Sequence, residues 1–160
     1  MEVDEIEVLK REMYRRVVAA GILTSDQIQL DNEPAPAVLP YCRITAAASG
    51  EYNFSSQQYM GRTVIVEFDL FCPAPGDTRT ISTTAAAIEA EFGKYDRSAA
   101  KREINLPNFQ GASATVERYG RGADRVESGA GLYRIAVLLY VKIVLGSGSG
   151  YENSGSGSGN

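Results

Sequence analysis

Glu67 and Asp69 stand two residues apart in a stretch where Val64, Val66, Phe68, Leu70 and Cys72 alternate with Thr63, Ile65, Glu67, Asp69 and Phe71. On a strand this spacing puts both carboxylates on one face. A pair so placed could bind a divalent cation or do acid–base work. Glu89 and Glu91 form a second candidate pair. Neither pair has a third acid at ligand spacing or a glycine-centred calcium loop, so an exposed polar face is the plainer reading.

The rest of the chemical inventory is short. The chain has no His, which removes Ser–His and Cys–His nucleophile pairs and His-containing zinc sites. Its two Cys, Cys42 and Cys72, are too few for a disulfide framework and lie in apolar stretches, where buried free thiols are expected. No secretory pattern opens the sequence, so a reducing cytoplasm is the expected place of assembly. Gly120-Arg121-Gly122 lacks the Gly-Lys-Ser/Thr ending of a phosphate loop and has strand-like sequence on both sides, which fits a hairpin turn. Tyr52, Phe54 and Tyr59 punctuate a polar stretch. They could stack on bases or sugars, but packing the loop or filling a protein interface is the commoner use. We expect no catalytic residue, no cofactor and no metal.

Charge adds one hint. The net charge is −4, which is unlike a general nucleic-acid binder. Residues 1–33 hold eight acids and four bases, whereas residues 94–125 hold seven bases and four acids. These regions could attract each other between copies of the chain.

The elements that must position these residues follow from periodicity. Ile6, Leu9, Met13, Val17 and Ala20 form one face of a helix over residues 4–20. Asp4 with Glu7 suits its start, and Gly21 its end. Residues 22–39 form a connection with a short turn at Thr24-Ser25-Asp26, and the prolines suggest that it runs extended over the surface. A weakly hydrophobic strand over residues 41–48 leads into a polar loop over 49–61, then into the strand over 62–72. A second helix follows Asp77 or Thr78, with Ile81, Ala85, Ile88 and Phe92 as its stripe and Gly93 as its stop. Short strands are expected over 101–106 and 112–119, with a glycine-rich charged turn over 120–131. The last strand, residues 132–145, has Tyr133, Ile135, Val137, Leu139, Val141 and Ile143 on one face. Its other face, with Arg134, Ala136, Leu138, Tyr140 and Lys142, is half apolar, so a helix of this chain or another copy should partly cover it. No apolar run is long enough for a membrane helix. The expected fold is α+β: a single domain over residues 1–145, with a largely antiparallel sheet flanked by two helices. Residues 146–160, almost all Gly, Ser and Asn, read as a flexible tail.

This order of elements resembles the tail terminator proteins of long-tailed bacteriophages. The opening helix, the strand from Tyr41, the stretch Arg62-Thr63-Val64-Ile65-Val66-Glu67-Phe68, the Ala-rich helix with Phe92 and the final Gly131-Leu132-Tyr133-Arg134-Ile135-Ala136-Val137 strand carry the likeness over residues 4–145. The Gly/Ser tail departs from it. The resemblance implies a structural virion protein of the tail or neck, assembled in the host cytoplasm. Its subunits would form a hexameric ring at the head-proximal end of the tail tube. That ring would end tube polymerisation and join the tail to the head connector protein, with DNA passing through the hole without sequence-specific binding. A negative chain suits such passage, because a basic lumen would hold phosphate. Partners are then the chain itself, the tail tube protein and the connector, with no membrane. Candidate interface residues are Tyr52, Phe54 and Tyr59, Glu67 and Asp69, and Arg118, Arg121 and Arg125. Competing readings are another neck or tube subunit, a small carboxylate-dependent metal-using hydrolase, and a monomeric binding module.

Overall fold

The computed structural model describes residues 4–30, 40–53, 59–73, 78–96, 99–107, 109, 112–122, 125–127 and 132–146; at 49–53, 59–60, 125–127, 132 and 145–146 it describes the backbone alone.

Helix α1 spans Glu5–Ala19 and begins where expected: the Asp4 carboxylate accepts a hydrogen bond from the Ile6 N–H. Its buried face is Val8, Leu9, Lys10, Met13 and Val17. The helix ends in a Schellman turn, with Ile22 N–H donating to the Val17 carbonyl and Gly21 N–H to the Val18 carbonyl, which requires the positive φ of 76° at Gly21. Helix α2, Thr78–Glu91, ends the same way: Lys94 N–H donates to the Glu89 carbonyl, Gly93 N–H to the Ala90 carbonyl, and Gly93 has φ 89°.

One sheet holds seven strands: β1 (Ile28–Leu30), β2 (Tyr41–Asn53), β3 (Tyr59–Cys72), β4 (Glu103–Ile104), β5 (Ser113–Arg121), β6 (Arg125–Glu127) and β7 (Leu132–Gly146). Their order is β1-β2-β3-β7-β5-β4, with β6 also on β7. Every pairing is antiparallel except β1 with β2. The α+β class with a largely antiparallel sheet is therefore what the chain forms, with one parallel pair making the sheet mixed. A third helix, α3 (Ala99–Arg102), is four residues long.

Four local expectations change. The connection over 22–39 holds a short 3₁₀ turn, Ser25–Gln27, and then β1, which pairs in parallel with Cys42, Arg43 and Ile44. The loop expected over 49–61 is mostly strand. Past a bulge between Ala48 and Gly50, the ladder continues from Gly50↔Thr63 to Asn53↔Met60, because backbone hydrogen bonds need no apolar alternation. Residues 101–106 split into the end of α3, the two-residue β4 and coil. The turn region over 120–131 contains the end of β5 and all of β6. Residues 54–58 and 147–160 lie outside the described residues.

Both long helices pack on one face of the sheet. Their buried residues join Val64, Val66, Phe68 and Leu70 of β3 and Ile135, Val137, Leu139, Val141 and Ile143 of β7 in a single core. Each such side chain contributes about 1.5–3 kcal/mol on burial. Phe92 at the end of α2 lies with its ring centroid 6.2 Å from that of Phe68. Cys42 and Cys72 are free and buried in this core, and burial pushes the Cys42 thiol far above its ordinary pKa. Among the described helices none is long and apolar enough to cross a membrane.

Candidate interaction surface

The opposite face of the sheet carries Tyr41 and Arg43 from β2, Ile65, Glu67, Asp69 and Phe71 from β3, and Arg134, Ala136, Leu138 and Tyr140 from β7. These alternate with the core residues, and Phe71 and Ala136 are buried without joining the core. Neither α1 nor α2 lies over this face, so no described helix supplies the cover its apolar half led us to expect.

Asp69 and Glu67 do share a face here, yet Asp69 is not open to water: it is 2% exposed. Strand register explains this. Asp69 lies between Arg43 of β2 and Ala136 of β7, two residues along from Phe71↔Arg134. Arg43 Nη2 donates to Asp69 Oδ2 at 3.2 Å, and Arg134 Nη1 sits 3.5 Å from Asp69 Oδ1 and 4.0 Å from Glu67 Oε2. Two carboxylates are thus matched by two guanidiniums, and a cation would have to displace both. Asp69 Oδ1 and Arg134 Nε have no hydrogen-bond partner among the described residues. Hydrogen bonding with the Asp69 carboxylate beside it, partial burial and the Asp69 charge push the Glu67 pKa up to about 7 against the opposing pull of Arg134 and Arg43. Beside the cluster Tyr41 and Phe71 stack at 4.9 Å, with the Arg43 guanidinium 5.3 Å from the Phe71 ring centroid.

The charged-turn arginines do not act together. β5 bulges between Val116 and Arg118, and alternation beyond the bulge sends Arg118 and Arg121 to opposite faces. Arg118 lies over the Tyr140 ring at 4.1 Å on the helix-free face. Arg121 reaches α2, where Nε and Nη2 donate to Glu89 at 3.1 and 3.0 Å. Arg125 is placed by its backbone in β6, opposite Arg134. Tyr52 and Tyr59 are placed by backbone near the ends of β2 and β3 that flank residues 54–58. Phe54 lies outside the described residues.

Two clusters were missed. Glu89 is 0% exposed and also accepts from Lys94 Nζ at 3.2 Å and the Tyr95 hydroxyl at 2.8 Å. Burial raises its pKa, but the bonds from Arg121, Tyr95 and Lys94 outweigh burial and hold it below the usual carboxylate range. Its position four residues after Ala85 and three before Phe92 places it inside the α2 stripe, a signal present in the sequence. Arg16 donates to the backbone carbonyls of Glu91 (2.8 Å), Lys101 (2.9 Å) and Glu103 (3.0 Å) and to Glu91 Oε2 (3.3 Å), with its guanidinium 4.6 Å from the Phe92 ring centroid. It ties α1 to the end of α2 and to α3–β4.

The fold has a solved counterpart. A chain of the structure "Virion of native gene transfer agent (GTA) particle" superposes with a TM-score of 0.60 at 15% identity, covering 89% of this chain and 99% of that one. No protein-family model matches the sequence, and no curated protein matches it. At this identity the likeness establishes the shared fold.

Three acids of α1 find partners within one copy. Glu5 pairs with Arg62, Glu7 with Lys10 and Arg11, and Glu12 with Arg15. Among the described residues no group of three or more His, Cys, Asp and Glu comes together. An open recess of about 430 Å³ beside β4 and the start of β5 holds, among the described residues, one ionisable side chain, Glu103.

Proposed function

We propose that the chain is a structural subunit of a phage-like particle. In this reading it forms the ring that ends a tail tube and joins it to the head connector, works by shape and self-association, and carries no catalytic turnover. The observation that supports this most is the fold shared with nearly the whole of a chain from a gene transfer agent virion. The sheet face that no described helix covers, with Ile65, Leu138, Tyr140 and Arg118 on it, offers a surface for neighbours. Glu67 and Arg118 on this face are the candidate interface residues with solvent access; Asp69 would act through its hold on Arg43 and Arg134. The pairing of both carboxylates with arginines speaks against the carboxylate-dependent hydrolase.

The test is the mass and shape of the purified assembly. A closed ring by light scattering and negative-stain microscopy, which binds tube ends and stops their growth, is expected. Open stacking into tubes would instead make the chain a tube subunit. A monomer at every concentration would overturn the ring reading.

A further inference from the structure

The two lateral edges of the sheet are stepped, and the steps are complementary. β1 covers β2 only at Cys42, Arg43 and Ile44. Beyond them, residues 45–53 pair on one side alone, with β3, among the described residues. At the far edge β4 covers β5 only at Ala114 and Thr115. Beyond them, residues 118–121 pair on one side alone, with β7.

Following the ladders across the sheet fixes the heights of these steps. Arg121 is level with Val137, Phe68 and Ile44; Arg118 is level with Tyr140, Ile65 and Ala47. Thr115, under β4, is level with Lys142, Thr63 and Gly50. The short strand therefore sits at one end of the sheet on the β2 edge and at the opposite end on the β5 edge. Each edge has a tab where the other has a notch.

The notches are lightly guarded. Sheet edges are normally protected by charge, proline or a bulge. Thr45, Ala46, Ala47 and Ala48 carry no charge or proline, and Ala47 and Ala48 are exposed; one bulge follows this run, between Ala48 and Gly50, and another precedes Arg118 on β5. The two arginines of the β5 notch are both engaged, Arg118 on Tyr140 and Arg121 on Glu89, so neither guards the open backbone. Direction agrees as well. The four long strands β2-β3-β7-β5 alternate and β4 is antiparallel to β5, so β4 runs parallel to β2, the direction β1 already takes on that edge, and copies related by rotation about an axis along the strands bring it there in that direction.

We infer that neighbouring copies join edge to edge, the β4 tab of one copy seating on the residue 45–53 notch of β2 in the next, and the residue 118–121 notch of β5 receiving the β1 end of that neighbour. The partner is a second copy, and the joint is head-to-tail. Repetition carries the sheet from subunit to subunit, with α1 and α2 on one side of the wall and the Arg43–Asp69–Arg134 face on the other. This rests on the ring reading above and adds to it the surface by which the ring is made.

Cysteine pairing tests it. Glu103 of β4 pairs with Thr115, which puts it on the helix-free face at the level of Gly50; Ala47 and Gly50 of β2 occupy positions of that face too. Glu103→Cys is mixed in turn with Ala47→Cys and Gly50→Cys under mild oxidation. The native Cys42 and Cys72 are 0% exposed. Disulfide-linked dimers are expected from at least one mixture and from neither component alone, because a head-to-tail joint brings unlike edges together. The chain carrying both members of the linking pair should give a ladder of covalent multiples. Links formed by single variants with themselves would show a two-fold joint and overturn the inference. So would the absence of links in variants that retain the wild-type assembly mass, which leaves the ring reading standing. A wild-type chain that never assembles overturns both.

Discussion

Replacing Arg121 by Ala probes the carboxylate sealed under the end of α2. Glu89 is 0% exposed and receives four hydrogen bonds: two from Arg121, one from Lys94 and one from Tyr95. The substitution removes two of the four and leaves the charge out of reach of water. Breaking a fully buried pair costs about 3–5 kcal/mol. Here Lys94 and Tyr95 remain, and the Arg121 side chain is 35% exposed, so about 2–3 kcal/mol is expected. Glu89→Met removes the buried charge itself at similar volume. Arg121 and Lys94, each about one-third exposed, then return to water, and the cost should stay below about 1.5 kcal/mol. Urea unfolding followed by circular dichroism reads both at one protein concentration, since self-association adds to apparent stability. Arg121→Ala should lower the midpoint by about 1–2 M, at a slope typical of small domains. The pH dependence has a definite sign. Glu89 has a lowered pKa in the folded chain, so its contribution is present above the ordinary carboxylate range and is lost as pH falls through the folded value. Glu89→Met should lack that acid-sensitive part. If Glu89→Met destabilises as much as Arg121→Ala, the reasoning that an unpaired buried charge is the costly element is wrong.

Three further outcomes are expected. Glu67 has a folded pKa of about 7, raised from 4.5. Its contribution is therefore complete below pH 4.5 and is lost as pH rises through 7; with solvent screening at a partly exposed group, wild-type stability should fall by about 1 kcal/mol between pH 5 and 8. Glu67→Gln should be flat over that window in the same urea assay. Arg16→Ala removes four hydrogen bonds that join α1 to three other elements and should cost about 2–3 kcal/mol, with Arg16→Lys recovering only part because an ammonium cannot reach the same fork of acceptors; thermal unfolding midpoints would rank the two. Gly21→Ala has open space for the added Cβ, so its cost of about 1 kcal/mol should come from the left-handed backbone alone, with Asn falling between Gly and Ala.

Much of this architecture is legible in the residues. The apolar stripes give both helices, and the glycines at 21 and 93 mark where each stops, because only a left-handed residue closes those turns. Strict alternation gives β3 and β7. What stays hidden depends on partners distant in sequence. Nothing near Asp69 announces its burial, since Arg43 and Arg134 come from strands 26 residues before it and 65 residues after it. β1 is too short to show a period and exists because the ladder of β2 holds it. The polar ends of the β2–β3 hairpin read as loop because their stability is in backbone bonds rather than apolar side chains. Arg118 and Arg121 look like one basic cluster until the two-residue period, over an odd spacing of three, sends them to opposite faces.

The two strands with the longest shared ladder, β3 and β7, lie side by side in the middle of the sheet, yet β3 ends at Cys72 and β7 runs to Gly146. On the ribosome β7 is the last described strand to emerge. At about 5–20 residues per second, β3 and its apolar face wait for several seconds without the neighbour they need. The nascent chain thus has helices ready early and a sheet that closes only once β7 has emerged. Slowing translation through residues 73–146 should lengthen chaperone occupancy rather than relieve it.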